Sequence, residues 1–185
     1  MNKKKALIVV DYQVDFVNGS LGFPGAEKLE PGIAARAKEY QEQGGIVIFT
    51  KDTHDENYLQ TQEGKKLPIV HCVEGTNGWK IFGNVLPMVN AETENLPQII
   101  LKNNFGCQSL ANHISSTLYD YNAELESIEL CGLVTNICVI ANAVILKTAF
   151  PEAPILINEK LCASFDPELH QKAIDVMRGL QMEII

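Results

Sequence analysis

Short apolar runs alternating with amphipathic segments are the feature that most constrains the fold of this chain. Valine and isoleucine dominate these runs, which read ALIVVDY, GIVIFTKD, QIILKN, SIELCG, APILIN and MEII. Continuous apolar runs indicate strands buried on both faces, as in a parallel sheet. Between the runs, apolar residues at spacings of three and four predict helices over about 32–43, 108–119, 136–149 and 168–180. The alternation predicts right-handed crossovers and an α/β fold: a three-layer, doubly wound, mostly parallel six-stranded sheet of Rossmann-like type.

The length and the apolar content of the chain fit one domain spanning residues 1–185. The 185 residues are 46% hydrophobic, which is enough for a sizeable core. The stretch at about 55–97 is polar and interrupted by glycine and proline. We expect it to form an irregular insert, and long irregular segments in compact domains are usually functional.

Charge and cysteine usage exclude several classes of partner. The net charge is −8, and lysine and arginine are scattered, so we expect neither nucleic acid nor a membrane as a partner. The apolar run at 6–10 is too short for a signal peptide or for a span of about 20 residues, which favours a cytoplasmic protein. The five cysteines are odd in number and form no C-x-x-C pair, so we expect reduced thiols.

Polar side chains stand where the predicted strands end. Asp11 ends the first strand, Asp52 the second and Lys102 the third, and GLVTNIC with Cys138 follows the fourth. In an open parallel sheet the ligand crevice lies outside the carboxyl ends of the strands. We therefore expect a carboxylate, a cation and a thiol to converge there.

Each of these groups has a structural and a functional interpretation. Thr135 as a helix cap would put Cys138 in a first turn, where the helix dipole favours a thiolate, but free cysteine is also a common core residue. Asp11 either caps a turn or serves as a general base. Lys102 is either an exposed strand-end lysine or the cation that keeps its neighbours charged. Together the three predict a nucleophilic thiol with its base and its cation.

A second group of polar residues has the composition of a metal site. Asp52 and His54 form an Asp-x-His pair just beyond a strand end, and His71 from the insert can join them. One carboxylate and two imidazoles suit Zn²⁺, Fe²⁺ or Mn²⁺, whereas histidines in a polar surface loop are the alternative. His113 and His170 have no candidate partner in the sequence and are predicted to be solvated helix residues.

These motifs resemble those of a known family. ALIVVDYQVDF with Asp11, the strand-end Lys102, and GLVTNICV with Cys138 resemble the isochorismatase-like cysteine hydrolases, whose catalytic triad is Asp, Lys and Cys in this order. Within that superfamily, KDTH and HCVEGTNGW are similar to the metal-binding motifs of the nicotinamidases, or pyrazinamidases. The resemblance covers nearly the whole chain.

The resemblance implies further features of the site. It implies a cis peptide bond between Leu133 and Val134, with the N–H groups of Val134 and Cys138 forming an oxyanion hole. Phe16 would be an aromatic wall of the substrate pocket, although core packing explains it equally well from the sequence. Glu63 would be an additional metal ligand, and a homo-oligomer is expected.

The function that the resemblance implies is that of a cysteine amidohydrolase. Its substrate would be a small planar carboxamide, foremost nicotinamide, cleaved to nicotinate and ammonia through a thioester, with a divalent Zn, Fe or Mn ion bound nearby. Within the superfamily, the alternatives are an N-carbamoyl amidase and an isochorismatase. Outside it, they are a thiol redox sensor and a receiver-like module.

Overall fold

A single parallel sheet organises the computed structural model, which describes residues 2–86 and 97–185. In these residues the sheet has six strands in the order β3-β2-β1-β4-β5-β6, and every pairing is parallel. The strands are β1 (Asn2–Val10), β2 (Ile46–Asp52), β3 (Gln98–Lys102), β4 (Ala123–Leu133), β5 (Ile155–Ala163) and β6 (Glu183–Ile184). The predicted α/β class is confirmed, with a wholly parallel sheet.

The helices largely follow the predicted segments. They are α1 (Val14–Val17), α2 (Glu30–Glu42), α3 (Gln62–Lys66), α4 (Leu110–Asp120), α5 (Ile140–Ala149) and α6 (Pro167–Gly179), with 3-10 turns at Ala26–Leu29 and Tyr58–Gln60. Pro31 lies in the first turn of α2, where its missing N–H costs nothing, and Gly44 follows the helix at a φ of 71°. None of the helices in 2–86 and 97–185 has the length and apolar character needed to cross a membrane.

Strand burial explains why the sequence shows apolar runs without alternation. The side chains of 6–10 in β1 are fully buried, and every residue of β2 is buried. Two strands begin earlier than predicted: β1 starts at Asn2 and β4 at Ala123, and their polar amino-terminal parts pair with each other. Backbone hydrogen bonds between the two strands extend them past the apolar core. The hydrophobic pattern of the sequence does not indicate such polar strand ends.

The order of the strands determines where a site can form. The chain winds outward from β1 through β2 to β3 and then crosses to β4, so the direction of winding reverses between β1 and β4. Ligands of doubly wound sheets bind at such a switch point, outside the carboxyl ends of the strands. Asp11 follows β1, and a π-helical turn, Thr135–Val139, follows β4.

The π-helical turn corrects one prediction. Thr135 is its first residue, Val134 precedes it in an extended conformation, and no side chain caps it. Thr135 Oγ1 instead lies 2.9 Å from His170 Nδ1 on α6. The predicted Thr135 cap and the ordinary first α-helical turn at Cys138 are therefore wrong. Single π turns inside helices are frequent at functional sites.

The described part of the predicted insert is tied back to the strand ends. Ile81 forms an antiparallel bridge with Gln13, and Val73 forms a parallel bridge with His54. Residues 87–96 of the predicted insert lie outside the described residues. The segment at 55–86 therefore borders the carboxyl edge of the sheet.

Candidate active site

Asp11, Lys102 and Cys138 come together at the switch point. Lys102 Nζ lies 2.6 Å from Asp11 Oδ2 and 3.6 Å from Cys138 Sγ. The exposed fractions are 0% for Asp11, 6% for Lys102 and 5% for Cys138. Residues far apart in sequence thus form a nearly dry group of base, cation and thiol, and Lys102 is not an exposed strand-end lysine.

Thr50 orients the carboxylate of Asp11. Its hydroxyl donates to Asp11 Oδ1 at 2.7 Å and accepts from the Asp11 backbone N–H at 3.2 Å. Asp11 itself has a φ of 45°, a left-handed conformation that aspartate tolerates better than most residues. Among the described residues, no donor of regular hydrogen-bond geometry reaches Oδ2, which faces Lys102. That oxygen is therefore available to take a proton.

Burial and the mutual charges of Asp11, Lys102 and Cys138 both act on the pKa values of these three groups. Burial raises the pKa of Cys138 well above its usual value, the charge of Asp11 raises it further, and Lys102 opposes them. Burial also raises the pKa of Asp11 against the attraction of Lys102. Burial alone would lower the pKa of Lys102, but the negative charges around it, foremost that of Asp11, outweigh burial and raise the pKa. Burial therefore disfavours the thiolate that the sequence predicts from a helix dipole, whereas the charge of Lys102 favours it.

A carboxylate and two imidazoles lie beside this group. One ligand atom from each of Asp52, His54 and His71 lies within 4.8 Å of the others. Asp52 Oδ2 is 3.0 Å from His54 Nε2 and 3.4 Å from His71 Nε2. All three side chains are buried, so the alternative of surface histidines in a polar loop is wrong.

The orientation of His71 fits a metal ligand. Its Nδ1 lies 2.8 Å from the carbonyl of Ile69, which leaves Nε2 directed at Asp52. Metal-binding histidines commonly use such a backbone carbonyl to fix the ring. Glu63 Oε1 is 3.9 Å from Nε2 of both His54 and His71, close enough to complete the group after a small side-chain movement. The donor set therefore fits a divalent ion of the zinc class.

Asp52 joins the two groups electrostatically. Its Oδ1 is 3.3 Å from Lys102 Nζ, while its Oδ2 faces the histidines. Burial alone would raise its pKa, but hydrogen bonds with His54 and His71 and the charge of Lys102 hold it below the usual range. A carboxylate that stays ionised suits a metal ligand. Burial and the charge of Asp52 raise the pKa of Glu63.

Aromatic rings surround the histidines. The Tyr58 ring centroid is 4.5 Å from that of His54 and 4.8 Å from that of His71, and the Tyr58 hydroxyl donates to the Leu67 carbonyl at 2.9 Å. Phe16 packs at 5.5 Å from His71. Phe16 is therefore both part of the core and a neighbour of the imidazole group.

Several residues of the site were not predicted from the sequence. Gln13 accepts from the Asp52 N–H at 2.7 Å and donates to the carbonyls of Asp52 and Trp79 at 2.9 and 3.0 Å. The only indication of Gln13 in the sequence is that it is a polar residue two positions after Asp11. His170 is half-buried and contacts Thr135, so its assignment as a partnerless solvated residue is wrong, whereas His113 is exposed as predicted.

The backbone before the π turn has the form that the resemblance implies. The peptide bond between Leu133 and Val134 is cis. All five cysteines are free thiols, as predicted.

Comparison with known proteins places this geometry in a family. The sequence profile of the Isochorismatase domain matches residues 5–185. The chain belongs to the isochorismatase family. The uncharacterized isochorismatase family protein PncA of Bacillus subtilis (strain 168) is 31% identical over 176 residues, which are 92% of each chain.

Solved structures of similar length share the fold. The nicotinamidase/pyrazinamidase PncA of Bacillus subtilis superposes with a TM-score of 0.80 at 28% identity, covering 98% of each chain. The pyrazinamidase of Pyrococcus horikoshii, solved in complex with zinc, superposes with a TM-score of 0.76 at 23% identity, also over 98% of each chain.

Proposed function

We propose that this isochorismatase-family protein is a cysteine amidohydrolase that converts nicotinamide to nicotinate and ammonia. The observation that carries the proposal is the position of Lys102 Nζ, which lies 3.6 Å from Cys138 Sγ and 2.6 Å from Asp11 Oδ2 beside the Asp52, His54 and His71 group. A thiol with a base and a cation suits acyl transfer. The nicotinamidase name of the Bacillus subtilis relative supports a planar aromatic carboxamide as the substrate.

The chain's own residues can carry the reaction. Asp11 Oδ2 takes the thiol proton as Cys138 Sγ attacks the amide carbon, and the N–H groups of Val134 and Cys138 hold the oxyanion. The C–N bond then breaks as Asp11 gives its proton to the departing nitrogen. Ammonia departs, and the acyl group remains on Cys138 Sγ as a thioester. Water, giving a proton to Asp11, attacks the thioester carbon. The acid departs as the proton returns to sulfur, and Lys102 stabilises the charges throughout.

Asp52, His54 and His71 would hold a divalent ion, with Glu63 available as a further ligand. When bound, the ion supplies a Lewis-acidic centre able to hold a ring nitrogen of the substrate, which is a positioning role. The zinc complex of the Pyrococcus horikoshii pyrazinamidase supports an ion of this class. We expect the enzyme to act as a homo-oligomer in the cytoplasm, where its thiols stay reduced.

The alternatives differ in observable ways. Receiver modules have the strand order 2-1-3-4-5, whereas this sheet has the order 3-2-1-4-5-6, so the receiver interpretation is wrong. An isochorismatase would split a vinyl ether and would not need the imidazole group. A redox sensor would react with peroxide at Cys138 without turnover.

Ammonia release from a panel of amides tests the proposal. The panel comprises nicotinamide, pyrazinamide and an N-carbamoyl amino acid, and we expect the first two to be hydrolysed. Cys138→Ala should abolish turnover, whereas Cys162→Ala is the matched control because both thiols are 5% exposed. Hydrolysis of the carbamoyl compound alone, or full activity of Cys138→Ala, would overturn the assignment.

A further inference from the structure

Asn142 connects the two segments that carry Lys102 and Cys138. It is the third residue of α5 and is fully buried. Its Nδ2 donates to the Cys138 carbonyl at 2.8 Å and to the Phe105 carbonyl at 3.3 Å, and its Oδ1 accepts from the Cys107 N–H at 2.8 Å. One side chain therefore forms hydrogen bonds both to the π-helical turn that carries Cys138 and to the loop that follows β3.

That loop also holds the catalytic lysine. Lys102 Nζ donates to the Asn104 carbonyl at 3.0 Å, next to the Phe105 carbonyl that Asn142 holds. The loop lies against α5 at Gly106, where a Cβ would come within 2.5 Å of Ile145 Cδ1. Close packing and the hydrogen bonds of the Asn142 side-chain amide thus fix the loop relative to α5.

We propose that Asn142 is a positioning residue that sets the spacing between Lys102 Nζ and Cys138 Sγ. The role rests on the proposed cysteine hydrolase function. Loss of the Asn142 amide would remove the hydrogen bonds that hold both the 103–107 loop and the Cys138 carbonyl. The distance between Lys102 Nζ and Cys138 Sγ would then no longer be fixed. Asn142 lies outside the reacting atoms, so the chemical step should suffer while binding of a small amide changes little.

The experiment compares Asn142→Leu, Asn142→Ser and a control. Leucine has a similar volume and removes all three hydrogen bonds, whereas a serine hydroxyl can still bond the carbonyl four residues earlier, that of Cys138. Asn158→Leu removes the amide that donates to Glu129 Oε1 at 2.9 Å, away from the site, and controls for lost stability. The kcat and KM are measured on the amide that the wild type hydrolyses best, with unfolding curves for every variant.

We expect kcat to fall at least ~10-fold in Asn142→Leu with KM within about threefold, Asn142→Ser to be intermediate, and Asn158→Leu to keep the wild-type kcat. A kcat within twofold of wild type for folded Asn142→Leu overturns the role, as does an equal kcat loss in Asn158→Leu. If the leucine variant does not fold, the same kcat criterion applied to Asn142→Ser decides.

A readout without substrate separates this role from the proposed activity. Iodoacetamide should alkylate Cys138 at least ~3-fold more slowly in Asn142→Leu than in wild type and at the wild-type rate in Asn158→Leu, because a displaced Lys102 no longer favours the thiolate. A wild type that hydrolyses no amide of the panel contradicts the proposed function, and the alkylation rates then decide on Asn142. Equal rates in both variants overturn its role.

Discussion

At the scale of single residues, burial changes the proton affinity of the groups in the candidate site. Asp11 and Cys138 are both removed from water, and burial raises the pKa of each. A carboxylate with a raised pKa is a better proton acceptor. Lys102 Nζ lies 2.6 Å from Asp11 Oδ2, and the charge of Lys102 opposes the effect of burial on the pKa of both groups.

Replacing Asp11 with asparagine tests the base directly. The Asp11→Asn side chain would keep the shape and the Thr50 contact but could not take a proton, so we expect kcat to fall at least ~10²-fold, the lower end for general acid–base catalysis. Asp175→Asn, at an exposed carboxylate on α6, is the matched control and should be neutral. An Asp11→Asn enzyme with more than a tenth of the wild-type kcat would show that another group removes the proton.

At the scale of elements, a buried ion pair joins α2 to the sheet. Glu129 of β4 is fully buried and accepts hydrogen bonds from Arg36 and Tyr40 of α2 and from Asn158 of β5. Burial alone would raise its pKa, but these hydrogen bonds, led by Arg36, hold it below the usual value. Removing one partner of such a pair typically costs ~3–5 kcal/mol.

Glu129→Gln should therefore destabilise the protein in a pH-dependent way. A lowered folded-state pKa contributes stability that is fully present above the unfolded value of about 4.3 and is lost as pH falls through the folded value. Urea unfolding at pH 7, 5 and 3.5 should show a gap of ~2–4 kcal/mol between wild type and Glu129→Gln that narrows only at the lowest pH. The exposed Glu126→Gln is the control on the same strand. A gap independent of pH would mean that shape rather than charge is lost.

Gly132 allows β4 to approach β1 just before the π-helical turn that carries Cys138. Its φ is 112°, and a Cβ there would lie 2.1 Å from the Val10 carbonyl oxygen. Because the obstacle is backbone, we expect Gly132→Ala to cost at least ~2 kcal/mol in the free energy of unfolding. Gly179→Ala meets open space and should stay within ~0.5 kcal/mol of wild type. Equal unfolding midpoints for the two variants would contradict this close approach.

At the scale of the whole molecule, topology decides what the sequence could reveal. Asp11, Asp52 and Lys102 were predictable because each ends an apolar run, and parallel strands end at one edge. Thr50 was not, because its contact with Asp11 depends on the β1–β2 register, in which Val9 lies opposite Phe49. Asn142 and His170 depend on how helices pack on loops distant in sequence. A single sequence contains neither the register nor that packing.

A divalent ion should stabilise the whole fold by tying the insert to the sheet. Asp52 ends β2, whereas His71 belongs to the insert, so an ion held by both links them. At 100 times its dissociation constant an ion adds ~2.7 kcal/mol, which corresponds to a rise in Tm of about 5–10 °C for a chain of this size. Differential scanning calorimetry after chelation and re-addition of Zn²⁺, Mn²⁺ or Fe²⁺ measures this rise. His71→Ala should lose the rise in Tm, and Cys138→Ala, which lacks the thiol but keeps all the ion's ligands, should retain it. A rise that persists in His71→Ala would place the ion elsewhere. If none of the three ions raises the Tm of the wild type, Asp52, His54 and His71 are a hydrogen-bonded group without a metal role.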